Sequence, residues 1–440
     1  ESPALKSETS DVSMEINPKS YNDLPLTSAA GMVGGRGPEA FIFLSPGITP
    51  GVHAGGQAAD TFDAHINGSP TLSKEMQVDG MSTQISEVQG DPRDLTFPPD
   101  AVQEMSILTS SYPAEFGNSG GGVERYVIKS GTNQFHGNLY EFLRNTDFDA
   151  RGFFSSDVAV HHENEFGGTF GGPVWIPKIY NGKNKTFFFV NIEEYRLNGG
   201  AQNSIGSVPD KSFRTGDLSG LVDSQGNQIP IYDPNTTTAS GSGFTRSVFP
   251  GNIIPANRIS NASKNILSYV PDATLSGVYN NYPSTGSSVT NYGAYTFKVD
   301  EYFTSTQHLS GTWNQSYNDN NGPYSILPSP VQSTRDGATN VYTGRLNYDW
   351  TLTPTLLNSF RVGFNRQSQF LGSKEAAEQW GSKLGIAGIN NGFPAVSWGA
   401  FTALAQNQDL LGPISNTFLF ADSVSWTKGK HNFKFGEDLR

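Results

Sequence analysis

The sequence predicts a mainly β protein whose larger part is an incomplete antiparallel transmembrane β-barrel, about nine strands in an open curved sheet with long outer loops. Three observations predict it. From about residue 132 onward, short runs alternate apolar and polar residues; in 344–350, Leu346, Tyr348 and Trp350 share one face and Arg345, Asn347 and Asp349 the other. Period two of this kind marks a strand with one apolar and one wet side. The runs recur with aromatics on the apolar side, the pattern of strands that cross a membrane. The connections between runs alternate long and short throughout, as in bacterial outer-membrane barrels, whose turns are tight at one rim and whose loops are long at the other.

The strand candidates are 134–144, 164–176, 185–197, 293–304, 307–318, 339–352, 356–369, 417–427 and 431–440. Their connections are 145–163, 177–184, 198–292, 305–306, 319–338, 353–355, 370–416 and 428–430. Up-and-down order puts 305–306, 353–355 and 428–430 on one rim and the long loops 198–292, 319–338 and 370–416 on the opposite rim. Along 359–364, Phe360, Val362 and Phe364 are expected toward lipid and Ser359, Arg361 and Gly363 toward the lumen, because an arginine at the lipid midplane costs roughly 2–4 kcal/mol. Nine strands leave too narrow a lumen for a folded N-terminal unit, so the sheet should stay open, with that unit on its concave polar face and 134–144 unpaired with 431–440.

Composition narrows the class. The 440 residues are 35% hydrophobic, and no stretch reaches the ~18 apolar residues of a membrane helix. A chain without cysteine has no disulfide framework and no thiolate metal site. A formal net charge of −12 argues against a nucleic-acid partner. The chain opens at Glu1 without an initiator Met or apolar signal, and closes at Arg440 inside an alternating run. The expectation is a fragment of a longer protein, since a terminus inside a strand leaves an unpaired edge.

Residues 1 to about 129 have a different texture, with β-like runs at Ala40–Leu44, Glu75–Val78 and Met105–Thr109 between Gly/Pro turns. Tyr126–Lys129 follows the glycines 120–122. This reads as a small α/β unit. The segment 198–292 is rich in Gly, Ser, Asn, Asp and Pro, as surface loops are. Within it the spacing predicts a short helix over Ile259–Val270, after Pro255 and Asn257.

Few constellations could carry chemistry. The glycines of 34–37, 55–56 and 120–122 lack the Gly-Lys-Ser/Thr sequel of a phosphate loop and read as turns. His161, His162, Glu163 and Glu165 are ligand types, but neighbours in one loop do not converge on a metal, and a solvated outer loop is the reading. Glu193 and Glu194 point to opposite faces of a strand, a poor arrangement for paired-carboxylate catalysis. Glu194 with Arg196 fits a strand end near the head groups. No nucleophile elbow exists, so no catalytic residue, metal or cofactor is assigned. Phe187–Phe189, Trp313, Tyr317, Tyr348, Trp350, Phe418, Phe420 and Trp426 read as lipid-facing or girdle aromatics rather than a ligand platform.

A family resemblance rests on particular residues. Asp100, Gln103 and Glu104, then Glu115 and Gly117, then Gly121 and Gly122, then Lys129, Ser130, Gly131, Thr132, Asn133, Phe135, His136 and Gly137 resemble the end of the plug and the first barrel strand of TonB-dependent outer-membrane receptors, closest to the Oar-like branch. Gly171–Pro173, Asn184–Phe189 and Glu194–Arg196 are similar to that branch's next strands. Phe213–Ser219, Ile231–Pro234 and Asn252–Ile259 resemble its first long loop, and Val78, Asp79 and Gly80 its plug motif. The resemblance implies a partial plug domain over 1–130 and the N-terminal part of the barrel domain over 131–440. It implies a bacterial outer-membrane location with lipid around the barrel. The implied function is uptake of an extracellular substrate (carbohydrate, peptide or metal chelate), energised by the inner-membrane TonB complex through a segment outside this chain. The reading from a different class is a non-transporting surface adhesin or structural β-protein.

Overall fold

The computed structural model describes residues 12–16, 37–50, 64–70, 73–85, 95, 97–151, 158, 161–199, 202–286, 289–320, 326–332, 336–372, 375, 378–389, 392–405 and 412–440. Gly34, Gly35, Arg36, Gly55 and Gly56 lie outside them.

The N-terminal unit is a five-stranded mixed sheet of β1 (Val12–Ile16), β2 (Lys74–Val78), β3 (Met81–Ser82), β4 (Val102–Ser110) and β5 (Gly122–Ile128), in the order β1-β4-β5-β2-β3. Strands β2 and β5 run parallel, and the other neighbours antiparallel. Ile42, Val78, Phe97, Val102, Met105, Ile107 and Tyr126 form its core. The run Ala40–Leu44, expected as β-like, is part of a 3-10 helix over Pro38–Leu44. Pro38 fixes a helical φ at its first position, and Phe41 and Ile42 turn inward at 4% and 0% exposure.

The large sheet has nine strands: β6 (His136–Asn145), β7 (His161–Pro173), β8 (Thr186–Gly199), β9 (Val289–Thr304), β10 (Gln307–Asn320), β11 (Asp336–Thr353), β12 (Leu356–Gly372), β13 (Ile414–Lys428) and β14 (His431–Leu439). Each pairs antiparallel with its sequence neighbour, and β6 and β14 are the two free edges. The sheet is therefore open, and the tight connections fall on one rim with the long ones on the other. The expected run 164–176 divides at Pro173, where the ladder ends because proline has no N–H to donate. Trp175–Ile176 instead forms a small hairpin with Tyr180–Asn181.

Burial in this sheet is the inverse of a soluble protein's. In β10 the inward Thr312, Asn314 and Ser316 are 4%, 2% and 1% exposed, while the outward Leu346, Phe360 and Phe418 of β11, β12 and β13 are 47%, 42% and 60% exposed. A face this apolar belongs in hydrocarbon. Ser359 is buried, Gly363 lies against Met81 of the N-terminal unit, and Arg361 reaches that unit too, so this strand faces as its alternation predicts. The aromatic run 187–189 divides by the same rule: Phe187 and Phe189 are inward, at 8% and 2% exposure, and only Phe188 faces out. Consecutive strand residues cannot share a lipid face. Phe189 joins the core of the N-terminal unit instead.

At the long-loop rim, segments from three connections fold on one another. Val208, Val270, Leu327, Val331, Trp380, Leu384, Phe393 and Leu404 make a second apolar core. The expected loop helix spans Asn261–Tyr269; Ser260 caps it by accepting from the Ser263 N–H at 3.1 Å. Its other end is held by Arg214, which donates to the carbonyls of Val270 at 2.8 Å and Pro271 at 2.5 Å. The resemblance segments of this loop meet where the Asn252 amide, 3% exposed, donates to the carbonyls of Leu218 and Ile229 at 2.7 and 3.0 Å. Arg258 donates to Asp233 at 2.7 Å, and this contact with the Asn235 N–H holds the carboxyl below its usual range.

Placing arginine at outward Leu346 should destabilise the membrane-inserted protein by roughly 2–4 kcal/mol, against about 0–1 for Thr304→Arg at the rim, read from denaturant unfolding in lipid vesicles. Because Asp233 titrates below its unfolded value, the stability from the Arg258 contact is present above about pH 4 and lost as pH falls through the folded value. The protection of amides in 231–237, relative to their intrinsic exchange, should stay flat from pH 7 to about 5 and fall below about 4, and Arg258→Ala should flatten most of that pH dependence.

Candidate functional site

The two sheets meet at a turn. Asp79 and Gly80 join β2 to β3 with φ of +46° and +80°, the left-handed pair that a two-residue hairpin needs and that Asp-Gly adopts readily. Val78 pairs with Met81 across it. The turn favours glycine at position 80 for its φ, and the Arg361 guanidinium packs over it where a Cβ would sit, so a side chain there would also displace that guanidinium.

Inward side chains of four consecutive strands converge on this turn. Lys298 of β9 reaches the Asp79 carboxylate at 3.3 Å and the Ile128 carbonyl at 3.0 Å. Thr312 of β10 donates to Asp79 Oδ2 at 2.7 Å, and Asn347 of β11 to the Asp79 carbonyl at 3.0 Å. Arg361 of β12 donates to the Gly80 carbonyl at 3.1 Å. One layer along, Arg345 and Asn365 donate to the Ser82 carbonyl at 2.9 and 3.0 Å. Asp79 also accepts from the Ile128 N–H at 3.0 Å, which ties the turn to β5. The side chains of Lys298 and Asp79 are 7% and 4% exposed, a buried ion pair with hydrogen bonds to spare.

The other motif residues surround this seat without joining it. Asp100 accepts from Asn138 of β6 at 2.9 Å. Lys129 is half-buried; burial pushes its ammonium pKa down, with the Asp100 carboxylate opposing. Glu115 pairs with Lys434 of β14, and Arg440 reaches Glu75 at 2.9 Å. Gln103, Glu104 and Gly117 are exposed, whereas Gly121 and Gly122 are buried against Ser69, Ser73 and Ile66. Ser130 and Gly131 are the passage between the sheets; Gly131 sits on the backbone of Gly172 and Phe188. Thr132 caps Gln134, Asn133 donates to Asn184 at 2.6 Å, Phe135 lies among outward rings, and His136 and Gly137 begin β6.

The histidine cluster is not a loop. His161 opens β7, with Glu163 and Glu165 on the same inward face and His162 on the other. His161 Nε2 lies 2.6 Å from Glu163, and Glu165 is 3% exposed. The strand thus begins within the expected loop 145–163, three residues ahead of the expected start at 164, because the polar residues of a lumen-facing strand have the composition of a loop. Glu193 and Glu194 do point apart: Glu193 inward to the Tyr140 hydroxyl at 2.5 Å, and Glu194 outward to Arg196 at 3.0 Å and the Tyr317 hydroxyl at 2.7 Å.

A nine-stranded antiparallel sheet with an apolar outer face and a polar wall holding a folded unit defines an outer-membrane β-barrel. Residues 127–440 match the family model of the outer membrane beta barrel domain, and the chain belongs to that family. It is 31% identical over 137 residues to the TonB-dependent transporter Oar of Myxococcus xanthus, a match covering 29% of this chain and 12% of that protein. In fold it is similar to the outer membrane transporter YddB of Escherichia coli, with a TM-score of 0.57 at 10% identity, over 97% of this chain and 47% of the other. The ferric enterobactin receptor PfeA of Pseudomonas aeruginosa gives 0.53 at 12% identity, over 97% and 48%. The chain thus spans about half the length of these structures. The resemblance to Oar-like receptors holds, and the protein is placed in the bacterial outer membrane.

Asp79→Asn should leave Lys298 buried without its counter-charge and weaken the seat by about 3–5 kcal/mol. Adding Lys298→Met should recover most of that loss. A double-mutant cycle on denaturant release of the N-terminal unit, followed by limited proteolysis, reads the coupling.

Proposed function

We propose that the N-terminal unit, about 1–130, is the plug of a TonB-dependent receptor and that 131–440 is the N-terminal part of its barrel. The whole protein takes up an extracellular substrate with energy supplied by the inner-membrane TonB complex. The observation that carries this reading is the seat of the Asp79–Gly80 turn on four strands of the lumen wall. A surface adhesin has no use for a folded unit held inside its barrel.

The sheet order supports a mechanism. Among the described residues strand β1 is one edge of the N-terminal sheet and pairs with β4 alone, whereas the anchored turn belongs to β2 and β3 at the opposite edge. Force applied from the N-terminal side reaches the β1 edge first and leaves the Asp79 seat in place. A path opens where β1 was while the rest of the plug stays docked. The folded outer loops offer the first contact to substrate. Ferric chelates are the class to test first, given the fold shared with a ferric enterobactin receptor, with carbohydrate and peptide as the other arms.

Cells expressing the receptor should accumulate the substrate, and a protonophore or loss of the TonB partner should abolish accumulation while surface binding persists. Binding without energy-dependent uptake for every substrate class would instead establish the adhesin reading. Asp79→Asn should also raise passive entry of large hydrophilic antibiotics, measured as a lower inhibitory concentration.

A further inference from the structure

Four connections lie on the short-turn rim, and one differs from the rest. Residues 305–306, 354–355 and 429–430 are minimal turns, but 174–185 projects a hairpin. Its side chains are apolar and open: Trp175, Ile176, Ile179 and Tyr180 are 58%, 46%, 81% and 38% exposed. Its charges have one sign, Lys178 at the tip and Lys183 and Lys185 at the base, with no carboxylate between 174 and 186. No ion pair engages these lysines among the described residues.

The hairpin is built as a rigid extension of the wall. The Gly182 N–H donates to the Val174 carbonyl, and the Val174 N–H to the Thr186 carbonyl, both at 2.8 Å. The Tyr302 N–H donates to the Lys185 carbonyl at 2.8 Å, fastening the base to β9. Next to its base, Phe135, Phe170 and Phe188 form an outward cluster with centroids 5.5–6.4 Å apart. The apolar surface of the hairpin therefore continues the lipid-facing belt beyond the end of the strands.

We propose that this hairpin is a membrane foot that lies in the interfacial layer of the periplasmic leaflet and binds anionic phospholipid. Trp175 and Tyr180 suit the interface, where an amphipathic ring meets both apolar and wet surroundings. Ile176 and Ile179 enter the acyl boundary. The three lysines face phosphodiester head groups, whose negative potential attracts juxtamembrane cations. Charge complementarity and continuity with the belt select lipid over a protein partner or a second copy. The inference rests on the outer-membrane placement but not on transport.

The chain has no cysteine, so single-cysteine labelling is clean. The protein is reconstituted into vesicles of phosphatidylethanolamine with or without phosphatidylglycerol. An environment-sensitive fluorophore is attached at Ile179→Cys, at Ser305→Cys on the same rim, or at Phe360→Cys on the lipid face. The Ile179 label should be quenched by shallow spin-labelled lipid and be about threefold less open to iodide than the Ser305 label, more so with phosphatidylglycerol. Changing Lys178, Lys183 and Lys185 together to Gln should remove the dependence on phosphatidylglycerol without altering quenching at Phe360. An Ile179 label as open to iodide as that at Ser305, with Phe360 quenched, would overturn the foot and leave the barrel reading intact. Protection that grows with protein density in the vesicle assigns the hairpin to a second copy and also overturns the proposal. A Phe360 label outside the lipid overturns both readings.

Discussion

A peptide group in hydrocarbon has no hydrogen-bond partner except another peptide group, and this constraint organises the nine-stranded sheet of 136–439. It forces long antiparallel strands, pairs each with its sequence neighbour, and turns the usual sense of burial inside out. The strands run to 18 residues in β11, longer than the ~9–11 that cross the hydrocarbon. The surplus carries strand ends into the outer head-group layer, where Glu194 meets Arg196 and the Tyr295 and Tyr317 hydroxyls. A carboxylate on the outer face survives there because three donors surround it.

The inverted burial creates a second requirement. An inner wall of Thr, Asn, Lys and Arg must find partners of its own. The N-terminal unit supplies them mostly as backbone carbonyls, from Asp79, Gly80, Ser82, Gln84 and Ile128. Carbonyls have no side chain to lose by mutation, so the seat depends on where the hairpin places its backbone. Asp79 adds a buried counter-charge to Lys298. Phe189 and Val341 extend the apolar core of the unit into the wall beside this polar patch. The seat is thus part hydrophobic packing and part hydrogen bonding, and the polar part fixes its register.

At the outer rim the same chain behaves as a water-soluble protein. The loops bury Trp380, Leu384 and Phe393 and cap a helix with Ser260 and Arg214. Loops folded on a shared core present a fixed surface to the medium, which lowers the entropy lost on binding. The membrane foot on the opposite rim and this cap bracket the barrel along its axis.

The sequence by itself determined the strands, their faces and the alternation of rims. Each follows from a local rule: side chains alternate, mid-strand charges avoid lipid, and Asp-Gly turns a hairpin. The inward direction of Arg361 was readable from Phe360 and Val362 alone. Local rules failed where polarity had two meanings, as at His161–Glu165, where a lumen-facing strand and a loop have the same composition, and at 187–189, where three aromatics sit on two faces. They also misread 40–44, where Pro38 starts a 3-10 helix in an apolar run that resembles a strand. What only the tertiary structure decided is which wall residues hold the turn. Lys298, Thr312, Asn347 and Arg361 lie 219, 233, 268 and 281 residues from their partners. Strand alternation put Asn347 and Arg361 on the wet face, but did not give their common target, because convergence on one turn depends on the curvature and register of four strands together.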